Sequence, residues 1–350
     1  MTMTPLERWL AVLRRERPDR VPMDYWGTNE FTCQLMAHLG CSSKRETLER
    51  LHVDFVVKPK AVYVGRPRPR GVDPFGCRHA FIGNEAGVYE ECVFHPLAEF
   101  STPEEIEEKY EWPSPDWWDY STIAGQVESF GDYPVQGGGS EPFLIYKNLR
   151  GPEQSFVDLV ENPGLAHYIL DKLFDLAYQD TVRVFESIPG RVNLCYIAED
   201  LGDQSDLMIS PRHIREFLLP GMRRMVAVAH QGGAFVFHHD DGSIRRILPD
   251  LVDLGIDVLN PIQWRCPGME RVALKRDFGE AVVFHGGMDN QITLPFGSEE
   301  DVRMEVRLNL RMLGKGGGYI LAPCHNLQGN TPVENVVAMY ETGYEEGQVF

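Results

Sequence analysis

The chain has 350 residues, of which 43% are hydrophobic and 25% are charged, and its net charge is −18. This composition is typical of a globular protein with a large core, and the acidic balance argues against nucleic acids and anionic membranes as partners, because both require clustered Lys and Arg. The seven cysteines form no CxxC pair, no secretory leader is evident, and no apolar run reaches the ~18 residues of a membrane span, so we expect reduced thiols in the cytoplasm.

The N-terminal segment predicts a helix, because Thr4-Pro5-Leu6-Glu7 forms a capping box with proline in the first turn. Eight short runs rich in Val, Ile, Phe and Tyr follow, with the low polar alternation that is typical of strands buried on both faces. These runs cover residues 21–26, 53–57, 133–135, 192–197, 234–237, 257–259, 281–284 and 318–322. Helical patterns lie between most of them, at residues 165–187, from Ser210, at 243–254, at 299–313 and from a second capping box at Thr331.

Buried strands that alternate with helices predict one α/β domain over residues 1–350, a (β/α)8 barrel of the TIM type, with a doubly wound open sheet as the alternative. Residues 66–118 interrupt this alternation, because they are rich in Pro, Gly and charge and include a hairpin pattern near "FIGNEAGVYEECVFHP". We expect this segment to be an insertion that caps the barrel mouth. A subunit contact is the alternative, and it would make the protein a homodimer.

Polar side chains that bind metals or move protons follow most of the predicted strands. The working face of a (β/α)8 barrel lies at the carboxyl ends of its strands, so these side chains are expected to meet there. We consider Glu199, Asp200 and Asp289 as candidates for proton transfer or substrate binding, and we expect substrate contacts from Asn260, Gln263 and Lys58. Asp289 is equally well explained as the cap of the turn in "HGGMDNQ", and "GGGSEPF" at residues 137–143 is predicted to be a flexible loop at the mouth.

The stretch "FVFHHDDGS" at residues 235–243 is the strongest candidate for a metal site. His239 and Asp241 are two residues apart just past a strand, so alternation places both side chains on one side, whereas His238 points the opposite way and is expected to be packed. Zinc accepts imidazole, thiolate and carboxylate ligands, and Cys324 or His325 after the last strand would supply the third. The alternative is a turn in which the aspartates cap a helix that begins at Gly242 or Ser243.

Three stretches of the last third resemble the uroporphyrinogen decarboxylase superfamily. They are "FHHDDGSIRRILPDLVDLGIDVLNPIQ", "LKRDFGEAVVFHGGMDNQITLPFGSEEDV" and "GGGYILAPCHNLQGNTPVENVVAMY", and the likeness extends to "RPDRVPMDYW" and "LHVDFVV" nearer the start. That superfamily includes the decarboxylase and cobalamin-dependent methyltransferases, and the resemblance implies a (β/α)8 barrel.

The resemblance departs from the decarboxylase and is closer to the methyltransferases. The region "MDYWGTNEFTC" has no arginine to hold porphyrinogen carboxylates, and Ala61 stands where the decarboxylase has a catalytic aspartate. The methyltransferases hold zinc with His-x-Cys and a later Cys. His239 matches that histidine, Asp241 stands at the first cysteine, and His325, beside Cys324, stands at the second.

The resemblance therefore implies a zinc-dependent enzyme that moves a methyl group between a small substrate and a corrinoid (cobalamin) carried by a partner protein. The small substrate would be a methoxy compound, a methylamine or a thiol. One alternative is a lyase that decarboxylates a smaller carboxylic acid without metal, with Asp200 or Asp289 shuttling protons. The other alternative is a binding barrel without catalytic activity.

Overall fold

The structure is a computed structural model that describes residues 2–84 and 87–348. Its strands are β1 (Val62–Tyr63), β2 (Arg78–Asn84), β3 (Gly87–Phe94), β4 (Trp118–Asp119), β5 (Gln136–Ser140), β6 (Leu194–Ala198), β7 (Phe235–His239), β8 (Val258–Asn260), β9 (Val283–Met288) and β10 (Tyr319–Pro323). The helices up to β6 are α1 (Pro5–Leu13), α2 (Asn29–Leu39), α3 (Lys44–Arg50), α4 (Pro103–Lys109), α5 (Ile123–Val127), α6 (Pro142–Arg150), α7 (Pro152–Glu161) and α8 (Pro163–Ser187). Those after β6 are α9 (Pro211–His213), α10 (Leu219–Gln231), α11 (Leu248–Leu254), α12 (Arg271–Phe278), α13 (Thr293–Phe296), α14 (Glu299–Met312) and α15 (Val333–Glu346).

The centre of the molecule is a parallel sheet of six strands in the order β10-β9-β8-β7-β6-β5. Two extended segments, residues 21–27 and 53–57, connect its two edges. Met23 pairs with Leu321 of β10, the backbone N–H of Asp54 donates to the Met23 carbonyl at 2.7 Å, and Val57 pairs with Val135 just before β5. Eight extended segments are thus hydrogen-bonded in a ring, and the predicted (β/α)8 barrel is confirmed.

Side chains inside the barrel form layers, because every second residue of a strand points inward. The bottom layer contains Leu194, Phe237, Val258, Val283 and Ile320, and it packs with Trp9, Val12 and Leu13 of α1. The Trp9 indole N–H donates to the Asp54 carbonyl at 2.7 Å, which fixes α1 under the barrel. The capping box predicted at Thr4 is present at the start of this helix. With the bottom closed, the open end of the barrel is the carboxyl end of the strands.

Three local predictions were wrong, and one alternative, the turn at His285, was excluded. Residues 137–140 belong to β5 and not to a flexible loop. Glycine at position 139 permits this close pairing, because a Cβ built there would lie 1.9 Å from the Tyr196 carbonyl oxygen. His285 and the glycines after it lie inside β9 and not in a turn. The helix expected at residues 243–254 begins only at Leu248, and α15 has no side-chain cap at Thr331, since its first residue is Val333.

The segment at residues 66–118 leaves and returns beside a short antiparallel pair. β1 pairs with β4, and between them β2 pairs antiparallel with β3, as the hairpin pattern predicted. Glu85 and Ala86, which fall in that pattern, lie outside the described residues. The insertion at the mouth and the alternative subunit contact stay predictions. None of the helices in the described ranges is long and apolar enough to span a membrane.

Candidate metal centre and the adjoining cavity

Asp200, His239 and Asp241 bring three ligand atoms together at the open end of the barrel. One nitrogen or oxygen of each lies within 4.8 Å of the others, and this is the only such group among the residues that the structure describes. His239 Nε2 lies 3.8 Å from Asp200 Oδ1, and that oxygen is buried and accepts no hydrogen bond. Imidazole and carboxylate ligands suit zinc, so the arrangement is chemically suited to hold that ion.

Two neighbouring strands place these groups side by side. His239 is the last residue of β7, and the Glu199 N–H, just past β6, donates to the His239 carbonyl at 3.0 Å, so Asp200 follows at the same level. Beyond β7 the chain turns sharply at Gly242, where φ is +81°. The predicted position of His239 and Asp241 on one side is confirmed, and His238 is fully buried with its Nδ1 2.8 Å from the Ile197 carbonyl, as expected for a packed residue.

A hydrogen-bonded chain inside the barrel orients the imidazole of His239. Its Nδ1 lies 2.6 Å from Asn260 Oδ1, the Asn260 amide nitrogen lies 2.7 Å from His285 Nδ1, and His285 Nε2 lies 3.1 Å from Asp24 Oδ2. His239, Asn260 and His285 each follow a bottom-layer residue by two positions, so they form the next inward layer on three adjacent strands.

The directions of these hydrogen bonds assign the protons. Asp24 accepts from His285 Nε2–H, so His285 Nδ1 accepts from the amide of Asn260, and the amide oxygen in turn accepts from His239 Nδ1–H. His239 Nε2 therefore carries the lone pair that faces the two aspartates, which is the tautomer a metal ligand needs. Burial lowers the pKa of His285 and favours its neutral form. Burial raises the pKa of Asp24, but the hydrogen bond and charge of His285, together with the charge of Lys58 and the Tyr25 N–H, outweigh it and leave the pKa lowered.

Asp241 is held by Gln263 on its other side. Gln263 Nε2 donates to Asp241 Oδ1 at 3.3 Å, and Gln263 Oε1 accepts from the Gly242 N–H at 2.8 Å. Burial raises the pKa of Asp241, while His239 and His325 lower it in part. Gln263 and Asn260, which we expected to contact substrate, thus hold the two central members of the cluster.

Several residues expected at the site lie outside the cluster, within the described part of the chain. Cys324 Sγ donates to the Ile262 carbonyl at 3.1 Å, and burial raises the pKa of its thiol well above the usual range. His325 lies close enough to influence the charge of Asp241 but is not one of the clustered ligands.

Glu199 is fully buried, with one oxygen bound to the Phe143 N–H, and burial raises its pKa well above the usual range. Asp289 pairs with Arg265 and accepts from the N–H groups at the start of α13.

An open cavity of about 890 Å³ adjoins the cluster. It is lined from the carboxyl ends of several barrel segments, and Lys58 is one of the lining residues. Trp26 and Tyr196 also line it, and their rings stack against the imidazole of His239 with centroids 5.4 and 5.7 Å away. The cavity and the candidate metal centre therefore share a wall.

Sequence reasoning missed Asp24 and Glu141. Asp24 lies inside the first predicted strand, residues 21–26, where it is the one charged residue, and that interruption of an apolar run could have singled it out. Glu141 directly follows β5, a strand that its three glycines concealed. Burial raises the pKa of Glu141 to about 7, with a further contribution from the negative charge of Asp200. It is thus an additional ionisable group beside the cluster.

Comparison with known proteins gives the family. The model of the uroporphyrinogen decarboxylase (URO-D) family matches residues 118–345, which is more than half of the chain. The chain belongs to this family. Relatives named uroporphyrinogen decarboxylase include one from Psychromonas ingrahamii, 26% identical over 219 residues (61% of this chain and 55% of the relative), and one from an Anaeromyxobacter species, 29% identical over 213 residues (60% and 53%). The chain spans about half the length of the curated relatives it matches.

A solved structure supports the same fold for the whole chain. A methyltransferase from Methanosarcina mazei superposes with a TM-score of 0.69 at 20% identity, and the match covers 98% of this chain and 99% of that one. At this level of identity the likeness establishes the shared family fold and leaves the chemistry to the residues of the site.

Proposed function

We propose that the protein is a zinc-dependent methyltransferase that moves a methyl group between a small substrate and a corrinoid on a partner protein. The observation that carries the proposal is the cluster of Asp200, His239 and Asp241, with the Nε2 lone pair of His239 directed at the two carboxylates. The proposal includes a cytoplasmic location, which rests on seven cysteines that are all free thiols.

The cluster fits zinc by the chemistry of its donors. One imidazole nitrogen and two carboxylate oxygens are a donor set that zinc accepts at a catalytic site, with the fourth position left for substrate. The unpaired buried oxygen of Asp200 supports this fit, because a buried carboxylate oxygen without a donor is costly unless a cation or a water compensates it. The set contains no cysteine, so it is harder than the set of the methyltransferases that the sequence resembles.

Each residue has a definite task in this proposal. When bound, zinc would act as a Lewis acid that lowers the pKa of a substrate thiol or hydroxyl, or polarises a substrate oxygen. Asn260 and Gln263 hold His239 and Asp241 in the ligating geometry, and His285 with Asp24 fixes the orientation of Asn260. Trp26 and Tyr196 cover the imidazole on the cavity side and limit the access of water to it.

The decarboxylase pattern requires residues that are missing at the matching positions of this cavity, and this favours methyl transfer over porphyrinogen decarboxylation. Ala61 lines the cavity and cannot replace a catalytic carboxylate, and no arginine lines the cavity among the residues described. The name of the Methanosarcina neighbour, a methyltransferase, agrees with this choice. Because several relatives are named uroporphyrinogen decarboxylase, a metal-free lyase is the competing function. A barrel without catalytic activity is the remaining alternative.

Metal analysis of the purified full chain is the first test. We expect about one zinc per chain, lost in His239→Ala and retained in His38→Ala, because His38 is an exposed histidine on α2 far along the chain from the cluster. A chain that binds no zinc after incubation with the ion and dialysis would contradict the proposal and favour the lyase or the binding barrel.

A spectroscopic assay tests the reaction. Cob(I)alamin is mixed with the zinc-loaded protein and a panel of methoxy compounds, methylamines and thiol methyl ethers, and formation of methylcobalamin is followed by its absorbance. We expect formation with at least one donor for the wild type and for His38→Ala, and none for His239→Ala. Release of CO2 from a carboxylic acid by the metal-free protein would instead establish the lyase.

A further inference from the structure

The cavity beside His239 has three lysines and two aspartates in its lining, so basic groups are in excess there, in contrast to the chain as a whole. Three of its lining residues are Lys44, Lys58 and Lys60, whereas the chain as a whole has 52 acidic and 34 basic side chains. All three side chains are exposed at this open cavity, and together they make its lining more basic than the chain as a whole.

These ammonium groups lack carboxylate partners within the described part of the chain. Lys44 Nζ lies over the ring of Tyr25 at 5.3 Å and Lys58 Nζ over the ring of Trp26 at 4.6 Å, and neither nitrogen lies within 4.0 Å of a carboxylate oxygen of the described residues. Desolvation lowers the pKa of Lys58, Asp24 raises it, and the positive charges of Lys44 and Lys60 lower it further. Lys58 is thus near enough to Lys44 and Lys60 for their charges to repel it, and Asp24 offsets part of this repulsion.

The two carboxylates that line the cavity are already engaged. Asp24 accepts hydrogen bonds from the Trp26 indole at 2.9 Å and from His285 at 3.1 Å. Asp180 accepts from the Tyr120 hydroxyl at 2.5 Å. Neither carboxylate forms an ion pair with a cavity lysine. An anion that enters from solvent would therefore find ammonium groups that no carboxylate pairs directly.

The walls of the same cavity are aromatic. Its lining includes the rings of Tyr25, Trp26, Phe55, Trp118 and Tyr196. Flat apolar surfaces of this kind favour a planar ligand by stacking and by removal of its surface from water. A cavity of about 890 Å³ is in the range that holds a small organic molecule.

We propose that this cavity binds a small aromatic carboxylate, with the carboxylate held by Lys44 and Lys58 and the ring stacked on the aromatic wall that Trp26 and Tyr196 share with His239. The inference rests on the proposed function in one respect, namely that this molecule is the small substrate of the proposed methyl transfer. The lysines would then set which end of the substrate faces the wall that Trp26 and Tyr196 share with His239.

Isothermal titration of the full chain tests the inference without metal or corrinoid. The probes are benzoate, its uncharged analogue benzamide, and inorganic phosphate, each added to EDTA-treated protein. We expect benzoate to bind at least about tenfold more tightly than benzamide and phosphate, because one charge-assisted contact is worth roughly that factor. Lys58→Gln and Lys44→Gln should each weaken benzoate at least about tenfold, and Lys58→Arg should restore most of the affinity.

The control is Lys315→Gln, which removes the same charge from an exposed turn outside the cavity and should leave benzoate affinity unchanged. Equal affinity for benzoate and benzamide, a phosphate affinity equal to that of benzoate, or the same loss in Lys315→Gln would each overturn the inference. Thermal melts by circular dichroism exclude misfolded variants. Absence of zinc would refute the proposed methyl transfer and leave this binding result standing, so the two failures are distinguishable.

Discussion

The Nδ1 atom of His239 lies 2.6 Å from the amide oxygen of Asn260, and this contact links the candidate metal ligand to the interior of the barrel. An amide oxygen can only accept a hydrogen bond, so the proton of the neutral imidazole is on Nδ1 and the lone pair is on Nε2. The opposite tautomer would direct an N–H at Asp200 and Asp241 and would prevent metal binding. Asn260 therefore acts as a positioning residue.

The first prediction concerns this positioning. Asn260→Ala should weaken zinc binding by about 10- to 100-fold, because second-shell partners of a ligating histidine fix its tautomer and orientation. Competition with a chromophoric chelator measures the affinity. Asn260→Asp keeps an oxygen that accepts from His239 Nδ1–H and should retain most of the affinity. Equal losses in both variants, or no loss in Asn260→Ala, would show that Asn260 does not position the histidine.

The second prediction separates the members of the cluster from their neighbours. Asp200→Asn should lower zinc affinity by at least about tenfold, because it removes a charged ligand, whereas Cys324→Ser and His325→Ala should retain about one zinc per chain. Cys324 is buried with its thiol bound to a carbonyl, so it is expected to stay outside the coordination shell. Loss of zinc in Cys324→Ser with full retention in Asp200→Asn would assign the third ligand to the cysteine. Metal content is measured by mass spectrometry after dialysis.

The third prediction concerns the stability of the barrel floor. Asp54 is buried and bonds the guanidinium groups of Arg8 and Arg20 and the Met23 N–H. Asp54→Ala should lower the free energy of unfolding by about 3–5 kcal/mol, because it leaves the buried Arg20 without a carboxylate and removes one of the two carboxylates that Arg8 shares with Asp19. Urea denaturation provides the measurement.

Asp116→Ala is the matched control for that change. It breaks an ion pair with Arg183 at the surface, where the side chain of Asp116 is 76% exposed. The expected loss is about 0–1 kcal/mol, because water screens such pairs. Similar losses for the buried and the exposed aspartate would mean that the network under the barrel adds no stability beyond a surface pair.

The fourth prediction is a pH dependence caused by Glu141. Its pKa is about 7 in the folded protein against an ordinary value of 4.5, so between these pH values the folded state binds more protons than the unfolded chain. The free energy of unfolding must then fall as pH rises through this window. Glu141→Gln removes this contribution, so the variant should gain stability relative to the wild type between about pH 5 and about pH 8 in melts of the metal-free protein. Glu153→Gln is the control, because it changes an exposed residue on α7, and its stability should vary with pH as that of the wild type does. If the stability of Glu141→Gln also varies in parallel with the wild type, the prediction is contradicted.

The fold could be predicted from the sequence because barrel strands are buried on both faces and appear as uninterrupted apolar runs. The runs near residues 236, 258, 283 and 320 all lie in or next to strands of the observed sheet. The prediction failed where backbone geometry decided the structure. β5 is built on glycines that show no apolar pattern, and the helix after β7 is delayed to Leu248 while the chain first turns past Gly242.

The sequence by itself determined the barrel, the family resemblance, and the placement of His239 and Asp241 on one side, because these follow from local periodicity and from motifs along the chain. Only the tertiary structure brought Asp200 to them, assigned Asn260 and Gln263 to positioning, and placed unpaired lysines in the adjoining cavity. The physical reason is that the inward layer joins side chains from strands that are distant in sequence, such as His285 and Asp24, which are 261 residues apart. Their contacts depend on the closure and register of the barrel, which no local pattern encodes.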